Sequence, residues 1–314
     1  MGIEKNELSC SARGGTELML ERLHATLPSD LLSKFQIIPS RVRELNPEKQ
    51  AILWLHDLPT DPESQHLRDI ESRRRFKKIV AVSNWQMQMY NLFLEIPYGE
   101  CIVLKNAIYP IEIEKKEIQD TIRLIYHTTP HRGLAILLPV FEELSKIVDG
   151  LHLDVYSSFS IYGWPQRDEP YKELFERCQN HPNITYHGAV SNEEIRNALK
   201  RSHIFAYPSI WPETSCIAAI EAMSAKNLII CPNLAALPET TAGFASMYQW
   251  NENVDLHYQK FKAELLEVIM KIKISGLDQS FLNLQKSYVD QMYNWNIRSQ
   301  EWIALLKTLK FDNF

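Results

Sequence analysis

The sequence predicts an α/β protein of two Rossmann-like domains facing across a cleft, and two observations predict it. Short apolar runs with strand character recur along the chain, each separated from the next by a polar or helix-compatible segment. This rhythm is interrupted by the charged stretch Ile111-Glu112-Ile113-Glu114-Lys115-Lys116-Glu117, after which a second series begins at Ile122. A length of 314 residues accommodates both series. The expected domains are 1–115 and 116–295, with a C-terminal helix over about 296–314 packing back on the first.

In the first series, the opening nine residues are polar and no strand precedes Arg13-Gly14-Gly15-Thr16-Glu17, so the first sheet is expected to be truncated at its N-terminus. Leu18, Met19, Leu20, Leu23 and Leu27 recur at helical spacing with Thr16 as an N-cap, so a glycine pair opens a helix. Such a pair is either a tight turn or a place where a phosphate or sugar approaches the backbone. Strand-like runs follow at 35–38, 51–55, 79–82 and 101–104. In parallel sheets, ligands gather at the carboxyl ends of strands. Polar clusters stand at three of those ends: His56 with Asp57, Ser83-Asn84-Trp85-Gln86, and Lys105-Asn106-Ala107.

The second series places strands near 122–127, 152–156, 184–187, 203–207 and 228–231, and helices near 133–148, 170–179, 191–200 and 214–225. The tail from Leu256 to Leu309 reads as helical apart from a break at Ser275-Gly276.

The stretch from Tyr207 to Ala225 carries the most chemistry. A buried strand ends at Pro208, Pro212 breaks the chain, and a helix follows with Thr214 and Ser215 as N-cap candidates. Unpaired backbone N–H groups and the positive end of a helix dipole suit a phosphate. Glu213 stands at the helix start and Glu221 about two turns in. Glutamates are ordinarily solvated, but Glu221 lies in Ile217-Ala218-Ala219-Ile220-Glu221-Ala222-Met223, an apolar helix in which a carboxylate needs a partner. That partner is either a hydroxylated ligand or a buried cation. Phosphate plus two hydroxyl-reading carboxylates suggests a nucleotide sugar.

Two further groups qualify. Arg132, in the loop Thr128-Thr129-Pro130-His131-Arg132-Gly133 after the strand at 122–127, is either a surface arginine or a bidentate phosphate ligand. His56 is a core histidine, a proton carrier or a sugar-hydroxyl partner. No Cys- or His-rich metal spacing, Gly-x-Ser-x-Gly elbow, Walker loop or Gly-x-Gly-x-x-Gly after a strand is present. Phosphotransferase and dehydrogenase readings therefore lose ground.

A net charge of −5 gives no global reason to expect nucleic-acid binding. No apolar run reaches the ~20 residues that span a bilayer, and the N-terminus lacks a signal-peptide pattern. Five scattered cysteines fit a reducing, cytoplasmic compartment. The basic run Arg73-Arg74-Arg75-Phe76-Lys77-Lys78, just before the third strand, is either a solvated face or a peripheral contact with anionic lipid or an acidic acceptor.

These residues resemble the retaining GT-B glycosyltransferases, family 4 in particular. Glu213 and Glu221 match its Glu-x7-Glu motif, after Pro208-Ser209. Arg13 to Glu17 looks like its glycine loop, Ser83 to Gln86 its serine segment, Lys105 to Ile108 its Asn-Gly turn, and Thr129 to Leu134 its basic-Gly-Leu loop. The resemblance implies metal-independent transfer of a hexose from a nucleoside-diphosphate sugar, held by the second domain, to a hydroxyl of a glycan, lipid-linked or other acceptor, held by the first. It implies no cofactor. Catalytic roles fall to His56, Arg132 and Glu213. Donor contacts fall to Gly14, Gly15, Ser83, Asn106, Thr128, Thr214, Ser215, Cys216 and Glu221, with Glu221 on the ribose. Departures are His127 in place of a family arginine, Ala107 in place of the turn glycine, and Lys226-Asn227 in place of a glycine after the motif helix. The alternative is a non-catalytic GT-B-like subunit that binds a nucleotide sugar or scaffolds a partner.

Overall fold

The computed structural model describes residues 14–311. In chain order the elements are α1 (Gly15–Thr26), α2 (Ser29–Leu32), β1 (Phe35–Pro39), β2 (Gln50–Trp54), α3 (Ile70–Arg73), β3 (Phe76–Ala81), α4 (Asn84–Leu94) and β4 (Cys101–Val103). There follow β5 (Ile122–Tyr126), α5 (Leu134–Ile147), β6 (Leu151–Val155), α6 (Lys172–Asn180), β7 (Ile184–Tyr186), α7 (Asn192–Arg201), β8 (Ile204–Ala206) and α8 (Ile217–Ser224). The chain closes with β9 (Leu228–Pro232), α9 (Leu237–Thr241), β10 (Ala245–Tyr248), α10 (Val254–Ser275), α11 (Gln279–Met292) and α12 (Trp295–Phe311). Short 3-10 turns lie between several of them.

Two compact units result. The N-terminal unit comprises Gly15–Tyr109, the short segment Glu213–Ile217, and the chain from Asp290 onward. Its sheet is parallel throughout, in the order β1-β2-β3-β4. Side chains alternate across β2, so its two faces build two cores. Ile52 and Trp54 pack with Met19 and Leu23 of α1 and with Trp302 and Leu306 of α12. Leu53 packs on the other face with Ile79, Tyr90 and Leu94. Trp54 and Trp302 meet edge-on at 5.1 Å between centroids. The expected absence of a first strand concerns residues 1–13, outside the described residues.

The C-terminal unit comprises Pro110–Pro212 and Ala218–Val289. Its six parallel strands run β10-β9-β8-β5-β6-β7. From β5 the chain winds outward through β6 and β7, then returns to the other side of β5 with β8 and winds outward again. The order therefore reverses between β5 and β8, and a ligand crevice is expected outside the carboxyl ends of those two strands.

Three sequence-based expectations are corrected. The third strand starts at Phe76, so Lys77 and Lys78 lie within it, and Arg73 is buried against Glu100 with Nε to Oε2 at 2.7 Å. The helix after β8 starts at Ile217, because Thr214 in the preceding segment is tied to His56 and Ser83 of the N-terminal unit. A tenth strand, β10, was not expected: Ala245-Ser246-Met247-Tyr248 is too short and mixed to show a period, and pairing along β9 makes it a strand.

Candidate functional site

The reversal point of the C-terminal unit is assembled from two loops. Gly133 ends the loop after β5 with φ of +139°, and a Cβ there would lie 2.3 Å from the carbonyl oxygen of Pro208. Glycine at this position lets the two loops touch. The Ile210 N–H then donates to the Arg132 carbonyl at 3.2 Å, tying the loop after β8 to the loop after β5. In this frame His131 stacks on Phe159 at 5.2 Å and meets Trp211 edge-on at 5.0 Å. The Arg132 guanidinium lies 5.9 Å from the Trp211 ring centre. Burial, then the charges of Arg132 and Arg167, push His131 down to about 4, so it is neutral at pH 7.

The polar groups around this crevice are unusual. Buried His127 Nε2, Thr128 Oγ1, Thr129 Oγ1, His131 Nδ1 and Ser157 Oγ have no hydrogen-bond partner within the protein. An unpaired buried polar group costs about 1–3 kcal/mol, so five at one end of one sheet point to a site. Burial lowers His127 to about 3, leaving a neutral ring. Of these, Thr128 was expected from sequence; Ser157, Phe159 and Trp211 were missed, because nothing in their local pattern separates them from core and surface residues.

Glu221 is buried at 3 % exposure on α8. Asn192 Nδ2 donates to both its carboxylate oxygens at 3.2 Å, and Arg196 Nη1 lies 3.4 Å from Oε1. The cation that the sequence left open is therefore present, supplied by α7. Glu213 is also buried, at 6 % exposure, as is Cys216.

The N-terminal unit holds the remaining candidates. His56 Nε2 is buried without a partner, its ring is tilted against Trp54 at 4.6 Å, and burial pushes it down to about 3. Thr214 does not cap a helix: its hydroxyl donates to the His56 carbonyl at 2.8 Å. Ser83 Oγ donates to the Thr214 carbonyl at 2.7 Å and accepts from the Gln86 N–H, capping α4. The hydroxyls of Ser83 and Thr214 thus have their protons committed to carbonyls. Ser215, partly buried, follows in the same segment. Gly15 opens α1, and a Cβ there would come 3.2 Å from Ile217 Cδ1, so that side chain would have to shift by a few tenths of an ångström to admit a larger residue. Gly14, just before Gly15, is buried and falls in the other unit. Asn106 is buried after β4, with Oδ1 unpartnered. Among the described residues no group of three or more His, Cys, Asp or Glu could hold a metal ion, and no helix is long and apolar enough to cross a membrane.

Comparison with known proteins bears on this arrangement. Residues 111–245 match the family "Glycosyl transferases group 1". The chain is 21 % identical over 277 residues to the lipopolysaccharide 1,2-N-acetylglucosaminetransferase of Salmonella typhimurium, spanning 81 % of this chain and 70 % of that protein. Its fold is similar to that of a glycosyltransferase from Rickettsia africae, with a TM-score of 0.68 at 16 % identity, covering 100 % of this chain and 85 % of the other. It is also similar to the HepE protein of Anabaena in complex with UDP-glucose, with a TM-score of 0.61 at 13 % identity, covering 83 % and 72 %. The pneumococcal O-GlcNAc transferase GtfA, in complex with UDP and GlcNAc, gives 0.62 at 10 % identity, covering 83 % and 53 %. The chain is a glycosyltransferase with the GT-B fold, and residues 111–245 carry its match to the glycosyl transferases group 1.

Proposed function

We propose that the protein is a retaining, metal-independent hexosyltransferase of family 4, moving a hexose from a nucleoside-diphosphate sugar to an acceptor hydroxyl. The observation that carries this reading is the set of unpartnered buried polar groups at the β5–β8 reversal, most of them in the loop that carries Arg132. A diphosphate sugar supplies acceptors and donors in that number. Arg132 holds the diphosphate, with Thr128 beside it, and its fixed charge stabilises the negative charge that grows on the leaving phosphate. That fixed charge is why no metal or cofactor is assigned. Glu221, already oriented by Asn192 and Arg196, accepts from the ribose hydroxyls. Glu213 accepts from the hexose hydroxyls, helped by the backbone amides of Thr214, Ser215 and Cys216. His56, neutral at pH 7, is assigned to the hexose near its reacting carbon. Gly14, Gly15 and Asn106 keep the donor contacts that the resemblance implies. In the front-face reaction, the bond from the anomeric carbon to the phosphate oxygen breaks as the acceptor oxygen attacks from the same side. The leaving phosphate takes the acceptor's proton. The acceptor is a glycan or lipid-linked hydroxyl, and the cytoplasm is the compartment that fits the reduced thiols.

Relatives solved with UDP and UDP-glucose make uridine donors the first to test. Turnover of a panel of nucleoside-diphosphate sugars in excess EDTA should show donor hydrolysis or transfer, with the anomeric configuration retained by NMR. Binding of a donor with no turnover across the panel would instead leave the non-catalytic reading. Arg132→Ala and Glu213→Ala should each lower kcat/KM at least about a hundredfold without changing the thermal midpoint. A wild-type rate in either variant would remove that residue from the site.

A further inference from the structure

The backbone and the ring of His56 are held in different ways. Its backbone N–H donates to Ser40 Oγ at 2.8 Å, and its carbonyl accepts from Thr214 Oγ1 at 2.8 Å. Ser40 presents that hydroxyl at a φ of +56°, a left-handed conformation that a non-glycine residue keeps only where its surroundings impose it. The imidazole has no such anchor at Nε2, which is buried without a partner. Packing must therefore set the angle of the ring. Trp54, two residues earlier at the end of β2 and so on the same face, lies against it with ring centroids 4.6 Å apart and planes tilted by 56°. Trp54 in turn meets Trp302 of α12 edge-on, at 5.1 Å and 69°. Both indoles are 0 % exposed, so in a close-packed core neither ring turns unless the other gives way.

From this run of contacts we infer that Trp302 is a positioning residue for His56, acting through Trp54, so that α12 sets the angle at which the imidazole is presented. The inference rests on the assignment of His56 to the hexose. A group at a reacting centre has to be held within about 0.5 Å and 10–20°, and a misplacement of about 1 Å costs on the order of a hundredfold in rate. A hydrogen bond to Nε2 would also hold the ring, but it would occupy the atom that a hexose hydroxyl needs. Packing fixes the ring and leaves that atom uncommitted. Trp295 supplies the contrast: it is buried at 1 % exposure in the same core, at the start of α12, where its backbone N–H donates to the Ile108 carbonyl at 3.2 Å.

Variants of the full chain test the inference by kinetics and by NMR of isotope-labelled histidine, with the His56 Cε1–H cross-peak assigned by its loss in His56→Asn. Trp302→Leu should lower kcat at least about tenfold, with donor KM within about threefold of wild type, and should displace the His56 cross-peak. Trp302→Phe, a smaller ring against Trp54, should do both to a lesser degree, with kcat down roughly threefold, and decides the matter if the leucine variant does not fold. Trp295→Leu should lower the thermal midpoint as Trp302→Leu does, yet keep kcat within about twofold and the cross-peak in place. The inference fails if the Trp302 variants keep the wild-type kcat or leave the cross-peak where it was. It also fails if Trp295→Leu lowers kcat and moves the cross-peak as much as Trp302→Leu, which would mark a general loosening of the core. Wild-type protein that turns over no donor would instead overturn the role of His56 in transfer, and the cross-peak alone would then decide whether Trp302 holds the ring.

Discussion

Two polar regions of the C-terminal unit, both buried, are built in opposite ways. At the end of α7, Lys116 Nζ donates to the carbonyls of Leu199 at 2.7 Å, Lys200 at 3.2 Å and Ser202 at 2.6 Å, groups that the helix itself leaves unpaired. Beside it, Asn227 Nδ2 donates to the carbonyls of Leu199 and Ala222, and its Oδ1 accepts from Ser202 Oγ. All the donor capacity of these two side chains is spent inside the protein, and the Asn227 oxygen is engaged as well. At the end of β5, His127, Thr128, Thr129 and nearby Ser157 each leave an atom unspent. The difference separates a polar group that holds the fold from one that is available to a ligand.

Breaking the first region should have the largest effect. Lys116→Met strips the donor from three carbonyls and should cost about 3 kcal/mol of stability, read as a lower midpoint in thermal or urea unfolding. Wild-type stability in this variant would show that those carbonyls find other partners.

A pH titration comes next, because the unpaired region includes buried histidines. Burial holds His127, like His56 in the other unit, at about 3, against 6.5 in an unfolded chain. Between those values the unfolded state binds protons that the native state refuses. Their contribution is therefore complete above pH 6.5 and is lost as pH falls toward 3, by about 1.4 kcal/mol per pH unit for each histidine. His127→Asn should flatten that slope in the measured stability between pH 6.5 and 4.5; an unchanged slope would place the ring in water.

The smallest stability effect belongs to Thr128→Val. Its hydroxyl has no protein partner to lose, so stability should change by less than about 1 kcal/mol, in either direction. Donor affinity should nonetheless fall, roughly five- to tenfold, by calorimetry or by donor-induced thermal shift. A large loss of stability with unchanged affinity would move Thr128 into the first class of group.

Much of this was legible along the chain. Strand runs such as Leu53-Trp54-Leu55 and Leu124-Ile125-Tyr126 declare themselves because a parallel sheet covered on both faces selects continuous apolar residues. His56 and Arg132 were picked out as candidates because such sheets keep their ligands at strand ends, and they do lie in the segments after β2 and β5. The helix start near Glu213 was read three or four residues early. Thr214 and Ser215 are good caps by residue type, but the Thr214 hydroxyl and carbonyl are taken up by His56 and Ser83, more than 100 residues away in sequence.

By itself, then, the sequence determined the two series of strands and helices, the strand-end chemistry and the spacing of Glu213 from Glu221, since all of these are set by periodicity and local backbone preference. Tertiary structure alone decided which buried polar groups are spent. Arg196 reaching Glu221, Lys116 reaching the end of α7, and Phe159 and Trp211 meeting His131 are all meetings of residues distant in the chain. A hydrogen bond or a charged face depends on where two segments are brought together, and no local pattern records that.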